Sequence, residues 1–224
     1  DVDALGLEPD LDVVFVSDPR DLADADLVVV PGTRSTISDL AWLRARGLDA
    51  AILDHARRGR PVLGICGGFQ MFDRTISDPD GVEGVPGAEV EGLGLLDVRT
   101  DFAAEKVLRL PTGTALGAPA SGYEIHHGRI TRGHGDEFLG GARSETVLGT
   151  MWHGSLEGDA LRGALLAELL GRKPSGVSFG TAREARIDRL GDLVEEHLDV
   201  DALLHLARNG APAGLPVLPP GGTT

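Results

Sequence analysis

The sequence predicts an α/β protein, a doubly wound and mostly parallel sheet with helices on both faces and a β-rich second half. Three observations predict it. Short apolar runs at 11–16 (LDVVFV), 26–32 (DLVVVPG) and 61–66 (PVLGIC) are rich in valine and bounded by Pro and Gly, as buried parallel strands are. A helical apolar stripe lies between the second and third runs. Four further β-like segments crowd the stretch from 94 to 154.

Taken in order, the runs at 11–16 and 26–32 are the first two strands. Ile37, Leu40, Leu43, Leu48, Ile52 and Leu53 then recur at helical spacing, with Ser35 or Thr36 placed to cap the start and Gly59 marking the end. Gly47 is expected to divide this stretch into two helices. Strand, helix and strand in succession form a βαβ unit, which dictates a parallel sheet. Residues 67–77 (GGFQMFDRTIS) read as a helix beginning straight after Cys66, and the Gly/Pro-rich acidic stretch 78–92 as a long surface loop. Strands are expected at 94–102, 105–110, 122–130 and 145–154, followed by a helix over 158–172. A longer helical stretch spans 179–208, with interruptions near Gly191 and Asp199. Residues 1–208 form the expected domain, and the Pro/Gly-rich 209–224 reads as a disordered tail. No internal repeat is visible.

Composition narrows the function classes. The 224 residues suffice for one sizeable core, and 42% hydrophobic with 25% charged residues is ordinary for a globular protein. No apolar run approaches the roughly 20 residues that cross a bilayer, and the N-terminus lacks the pattern of a signal peptide. A single cysteine excludes an internal disulfide and points to a reducing, cytoplasmic compartment. A net charge of −14 argues against nucleic acid and anionic membranes as partners, since both require basic surface. The chain opens at Asp1 without an initiator methionine and reads as a piece of something longer.

Chemistry concentrates at strand ends. In open α/β sheets reactive groups gather at the carboxyl ends of strands, and Gly32, Cys66 and His153 all fall there. Cys66 joins an apolar run to a helix through flanking glycines, the arrangement of a nucleophile elbow. The N–H groups and positive dipole end of a helix beginning at Gly67 would point at such a sulfur and favour thiolate over thiol, and the Gly67 amide is placed to donate to an oxyanion. The competing reading is an inert core cysteine. A thiol nucleophile needs a base. Of the seven histidines, His55, His197 and His205 lie in helical stretches, His134 lies in a turn, and the adjacent His126 and His127 point to opposite faces of a strand. His153, at a strand end before a glycine, is best placed. Gly32 begins a second strand-to-helix junction whose N–H groups could complete an oxyanion hole; an ordinary βα turn is the plain alternative. No metal-ligand spacing and no Walker A phosphate loop are present.

GICGGFQM, with Cys66 and Gln70, resembles the elbow of the class I (triad-type, flavodoxin-like) glutamine amidotransferases. PGTRSTISDLAWLRARGLDAAI, DPDGVEG, GLGLLDVRTDF, GYEIHHGR and GTMWHGSLEGDALR narrow the resemblance to the glutaminase domain of the cobyric acid synthases, over residues 1 to about 200. The resemblance implies that Cys66 attacks the carboxamide of glutamine with His153 as base and acid. It implies that the amides of Gly32 and Gly67 stabilise the oxyanion and that Gln70 helps to hold the substrate. Tyr123, Glu124 and His126 are expected beside the substrate or a domain interface. It also implies no cofactor in this chain and a partner ATP-dependent synthetase domain, in cis or in trans. That domain would use ATP and Mg2+ and hold the corrinoid acceptor, whose b, d, e and g carboxylates receive the ammonia.

One departure stands out. Position 155 is serine, where triad amidotransferases carry glutamate two residues after the histidine; Glu157 and Asp159 are the nearby carboxylates that could orient His153 instead. The rival readings are a related amidotransferase acting on cobyrinic acid or a cell-wall precursor, a catalytically silent docking module of the same fold, and a cysteine hydrolase.

Overall fold

The computed structural model describes residues 1–215; the last residues of the expected tail, 216–224, lie outside the described residues. The chain divides into two compact units, Asp1–Phe179 and the residues from Gly180 onward.

In the first unit, β1 (Val28–Val30), β2 (Val62–Ile65) and β11 (Val147–Thr150) are adjacent and parallel, with Val30 opposite Gly64 and Thr150 opposite Ile65. They carry the core: β2 and β11 are buried throughout, which is why their sequences are apolar without alternation. β9 (Asp136–Phe138) and β10 (Gly141–Ser144) extend this sheet antiparallel, giving the order β1-β2-β11-β10-β9. A second sheet, β4-β3-β5-β8, is built from β3 (Thr75–Asp78), β4 (Ala88–Glu91), β5 (Val98–Arg109) and β8 (Glu124–Arg132). β6 (Thr112–Ala115) and β7 (Ala118–Ser121) form a hairpin.

The helical stretch after β1 divides as expected into α1 (Thr36–Arg46) and α2 (Leu48–Arg57). Gly47 between them has φ 73°, a left-handed conformation that glycine adopts without steric cost. α4 (Asp159–Leu170) likewise stops at Gly171. His55, expected from its helical stretch to be solvated or half-buried, is fully buried, and its Nε2–H donates to the Pro61 carbonyl at 3.0 Å, tying α2 to the start of β2.

Several elements depart from the sequence reading. Residues 11–16 join no strand ladder: Leu11, Val13 and Val16 pack partly on the core while Val14 and Phe15 face outward. The helix expected over 67–77 is a single turn, α3 (Gly67–Gln70), because Thr75 and Ile76 pair with β4 and β5. The loop expected over 78–92 gives up its last third to β4. The two segments 94–102 and 105–110 are one strand, β5, with a register shift against β8 between Phe102 and Val107.

In the second unit, α5 (Phe179–His197) runs on through Gly191 without a break, and α6 (Val200–Asn209) is capped by Asp199, whose carboxylate accepts from the Ala202 N–H at 2.9 Å. Ile187, Leu190, Leu193 and Val194 of α5 and Leu203, Leu204 and Leu206 of α6 are exposed.

Candidate active site

The parallel register places the carboxyl ends of β1, β2 and β11 at one edge, and the residues following them are Pro31-Gly32-Thr33, Cys66-Gly67 and Met151-Trp152-His153.

Cys66 is buried and takes φ 49°, ψ −111°, well outside the regions that an ordinary L-residue occupies at ease. Such conformations cost on the order of 1–3 kcal/mol and persist only where the surroundings enforce them. Here the surroundings are explicit. The Cys66 N–H donates to the Thr150 carbonyl at 2.7 Å, fixing the end of β2 to the end of β11. α3 then folds straight back over the sheet: a Cβ on Gly64 would lie 2.6 Å from the Phe69 Cα, and one on Gly68 would lie 2.5 Å from the Pro31 carbonyl oxygen and nearer still to that of Val30. Those two positions admit nothing larger than glycine while α3 keeps its place.

The loop after β1 touches both sides of the site. A Cβ on Gly32 would lie 2.7 Å from the His153 Cε1, and one on Gly67 would lie 2.6 Å from the Thr33 Cγ2. Gly32 thus sits against the imidazole and Thr33 against the elbow, so one segment spaces the two. The Thr33 hydroxyl donates to Asp39 in the first turn of α1, which holds the loop in place.

His153 follows β11 and makes an isolated antiparallel bridge with Tyr123: the Tyr123 N–H donates to the His153 carbonyl at 3.0 Å and the His153 N–H to the Tyr123 carbonyl at 2.9 Å. The tyrosine ring stacks on the imidazole, with centroids 5.1 Å apart and planes 16° from parallel. The imidazole Nδ1 lies 2.8 Å from the Asp1 Oδ2, and the Gly154 N–H donates to the Asp1 Oδ1 at 2.8 Å. Of the two carboxylates expected near His153, Asp159 instead faces Arg162 at 3.1 Å and accepts from the Phe179 N–H at 2.9 Å. Glu157 lies on the one-turn helix 155–157, beside Gly154.

Gln70 is buried. Its Oε1 accepts from the Thr36 hydroxyl at 3.1 Å, and its Nε2 is packed against Gly128 without a hydrogen-bond partner. Thr36 also meets Glu83: its hydroxyl lies 3.1 Å from the Glu83 carboxylate, so its one proton is shared between the Gln70 and Glu83 oxygens, and that carboxylate accepts from the Ile37 N–H at 3.4 Å. Glu83 therefore caps α1, a role the sequence suggested for Ser35 or Thr36. Burial raises its pKa above the usual carboxylate range, against these hydrogen bonds. Asp78 shapes the loop that delivers Glu83, accepting from the N–H groups of Val82, Glu83 and Gly84 at 2.7, 2.9 and 3.1 Å.

Of the other expected substrate neighbours, only Tyr123 meets His153. Glu124 is buried and paired with Arg109 across the β5–β8 ladder. His126 donates from Nδ1 to the Gly128 carbonyl at 2.9 Å, and burial lowers its pKa and favours the neutral ring. Among the described residues no group of three or more His, Cys, Asp or Glu is placed to hold a metal, and no helix is long and apolar enough to cross a membrane.

Sequence reasoning missed Asp1, Thr33 and Glu83. Glu83 lies in the DPDGVEG stretch, in which nothing local says that the loop reaches α1. Asp1 lies 152 positions before His153, and no spacing rule connects them.

The family model for the CobB/CobQ-like glutamine amidotransferase domain matches residues 1–161. The chain belongs to this family. As an amidotransferase domain it is similar to cobyric acid synthases: that of Mycobacterium ulcerans is 72% identical over 222 residues, and that of Mycobacterium tuberculosis (strain CDC 1551) is 71% identical over 224. Each match covers 99% of this chain and 45% of the relative, so the chain spans a little under half the length of the curated relatives it matches. A crystal structure of a glutamine amidotransferase superposes with a TM-score of 0.55 at 22% identity, covering 76% of this chain and 90% of that one, and this likeness concerns the fold.

Proposed function

We propose that this amidotransferase domain is the glutaminase part of a cobyric acid synthase, with Cys66 as nucleophile and His153 as general base and acid. The observation that carries the reading is the strained, buried Cys66 elbow. It stands at the same sheet edge as His153, with the Gly32-Thr33 loop packed on both.

In this reading the Cys66 sulfur attacks the side-chain carbonyl carbon of glutamine. The amides of Gly32 and Gly67 receive the developing oxyanion. Because α3 is a single turn, these nearby N–H groups supply the stabilisation and a long helix dipole does not. His153 takes the thiol proton and returns it to the departing nitrogen, so ammonia leaves and a thioester forms. Water then attacks the thioester, with His153 as base, releasing glutamate and restoring the thiol. Gln70 and Thr36 border the elbow through their buried hydrogen bond and help to shape the glutamine pocket.

The ammonia passes to an ATP-dependent synthetase part, for which the curated relatives have room beyond the stretch that this chain matches. There it amidates the b, d, e and g carboxylates of adenosylcobyrinic acid a,c-diamide. Leu108 and Ile125, opposite each other on β5 and β8, lie exposed with Leu110 and Tyr123, an apolar surface next to His153 that suits such a partner.

Incubation with a glutamine-mimicking diazo-ketone, followed by peptide mass spectrometry and a glutaminase assay, tests the reading. The expected result is one adduct, on Cys66, with glutamate release from glutamine that Cys66→Ser abolishes. A folded chain that is neither labelled nor active would favour the docking-module alternative.

A further inference from the structure

We propose that Asp1 is the positioning residue of His153, taking the place of the carboxylate that triad amidotransferases carry two residues after the histidine. The inference rests on the glutaminase reading above and adds the group that makes His153 a base.

The geometry is that of an orienting carboxylate. Asp1 Oδ2 lies 2.8 Å from the His153 Nδ1, and its other oxygen accepts the Gly154 N–H at 2.8 Å, so the carboxylate is held at two points. An ionised carboxylate only accepts hydrogen bonds, so Nδ1 must carry the proton and Nε2 is left with its lone pair. That is the tautomer a base needs. Tyr123 stacks on one face of the ring and Gly32 packs against Cε1, so rotation about the side-chain bonds is restrained as well. When His153 accepts the thiol proton, Asp1 faces the imidazolium at hydrogen-bond distance and stabilises it.

Asp1 is held in place by the segment that follows it. Ala4 and Leu5 are buried in the core. Glu8 pairs at 2.5 Å with Arg162, a fully buried arginine of α4 that also donates to the carbonyls of Leu156 and Val177. Arg172 donates to the carbonyls of Pro9 and Asp10. The segment is therefore fastened to both ends of α4, the helix that follows the His153 loop, and Asp1 arrives beside the imidazole as a consequence. Of the nearby carboxylates, Asp159 is engaged elsewhere, by Arg162 and the Phe179 N–H.

The test compares Asp1→Asn with Glu157→Gln in otherwise unaltered protein, with three readouts. Asparagine keeps the shape and loses the charge. Glutaminase kcat should fall on the order of 10⁴-fold with little change in KM, as expected when an imidazole loses its orienting charge. Diazo-ketone labelling of Cys66 should slow in parallel. Imidazole nitrogen NMR should show the Nδ1–H tautomer of His153 in the parent and a mixture in Asp1→Asn, a change that a purely structural role would not produce. Wild-type rates and tautomer in Asp1→Asn, or a loss confined to Glu157→Gln, would overturn the proposal. A parent protein whose Cys66 is not labelled would instead overturn the glutaminase reading, so the two failures are distinct.

Discussion

Cys66 and His153 meet at one sheet edge but are held there by different kinds of chain. The cysteine side is contiguous: strand β2, the strained residue, two close-packed glycines and one turn of helix all lie within 61–71. The histidine side is assembled from afar, with a backbone bridge and a stacked ring from Tyr123, a carboxylate from Asp1 and a packing contact from Gly32. The first kind of construction couples activity to the local fold. The second leaves the fold tolerant and the geometry dependent on each distant contact. Substitutions on the cysteine side should therefore cost stability and activity together, and those on the histidine side activity alone.

The sharpest way to break this comparison is Gly68→Ala. The added methyl would meet the carbonyl oxygens of Val30 and Pro31, which belong to β1 and its loop and cannot move without the sheet. Overpacking costs about 1–3 kcal/mol in general, and backbone neighbours put this case at the upper end. α3 must lift, and the Cys66 conformation it enforces is lost with it. Chemical denaturation should show the loss of stability, and glutaminase activity should fall to background. A variant with normal stability and activity would show that the close packing of α3 on β1 is not what holds the elbow.

This contrast also explains what was legible in the sequence. The βα junctions at Gly32 and Cys66, the break at Gly47 and the helix over 159–170 were readable because each is written in consecutive residues: apolar period, turn glycine, helix stop. His153 was readable as a strand end. Its partners were not, because a contact between residues 1 and 153 has no local signature. The same reason hid the true cap of α1, since Glu83 comes from a loop beyond two intervening elements. The strand expected at 11–16 was misread for a related cause. Its apolar character reflects packing of Leu11, Val13 and Val16 on the core, and a ladder needs a neighbour with free backbone groups, which no sequence pattern supplies. Residues 67–77 failed as a helix because the pairing of Thr75 and Ile76 with two strands outweighed a short helix.

On the histidine side, Tyr123→Ala removes the stacked ring and keeps the backbone bridge. Stacking between such rings contributes about 0.5–1.5 kcal/mol, so glutaminase kcat should fall roughly 3–10-fold. Because the tyrosine is partly exposed, the unfolding midpoint should move little. Phenylalanine, which keeps the ring, should recover most of the activity. Loss of stability equal to that of Gly68→Ala would show that the histidine side is as bound to the fold as the cysteine side.

The smallest effect on activity, and the cleanest on stability, is expected at Asp73, in the turn between α3 and β3. It is fully buried, and burial pushes its pKa up to about 8, against the Thr100 hydroxyl beside it, which favours the ionised form, and with the Asp101 charge adding to the rise. The sign follows directly. Between the ordinary carboxylate range and pH 8 the folded protein holds a proton here that the unfolded chain has released, so stability falls as pH rises, by up to about 1.4 kcal/mol per unit. Asp73→Asn removes the titrating group and fills the same space with a neutral one. The variant should be more stable than the parent at pH 7.5, closer to it at pH 5, and flatter across that window in urea denaturation. Glutaminase activity measured at a temperature where both are folded should be little changed, because Asp73 lies beyond the elbow and touches neither Gly32 nor His153. An unchanged pH slope would mean that Asp73 is ionised in the folded state. The region just after the elbow would then have to stabilise a charge as well as a strained cysteine.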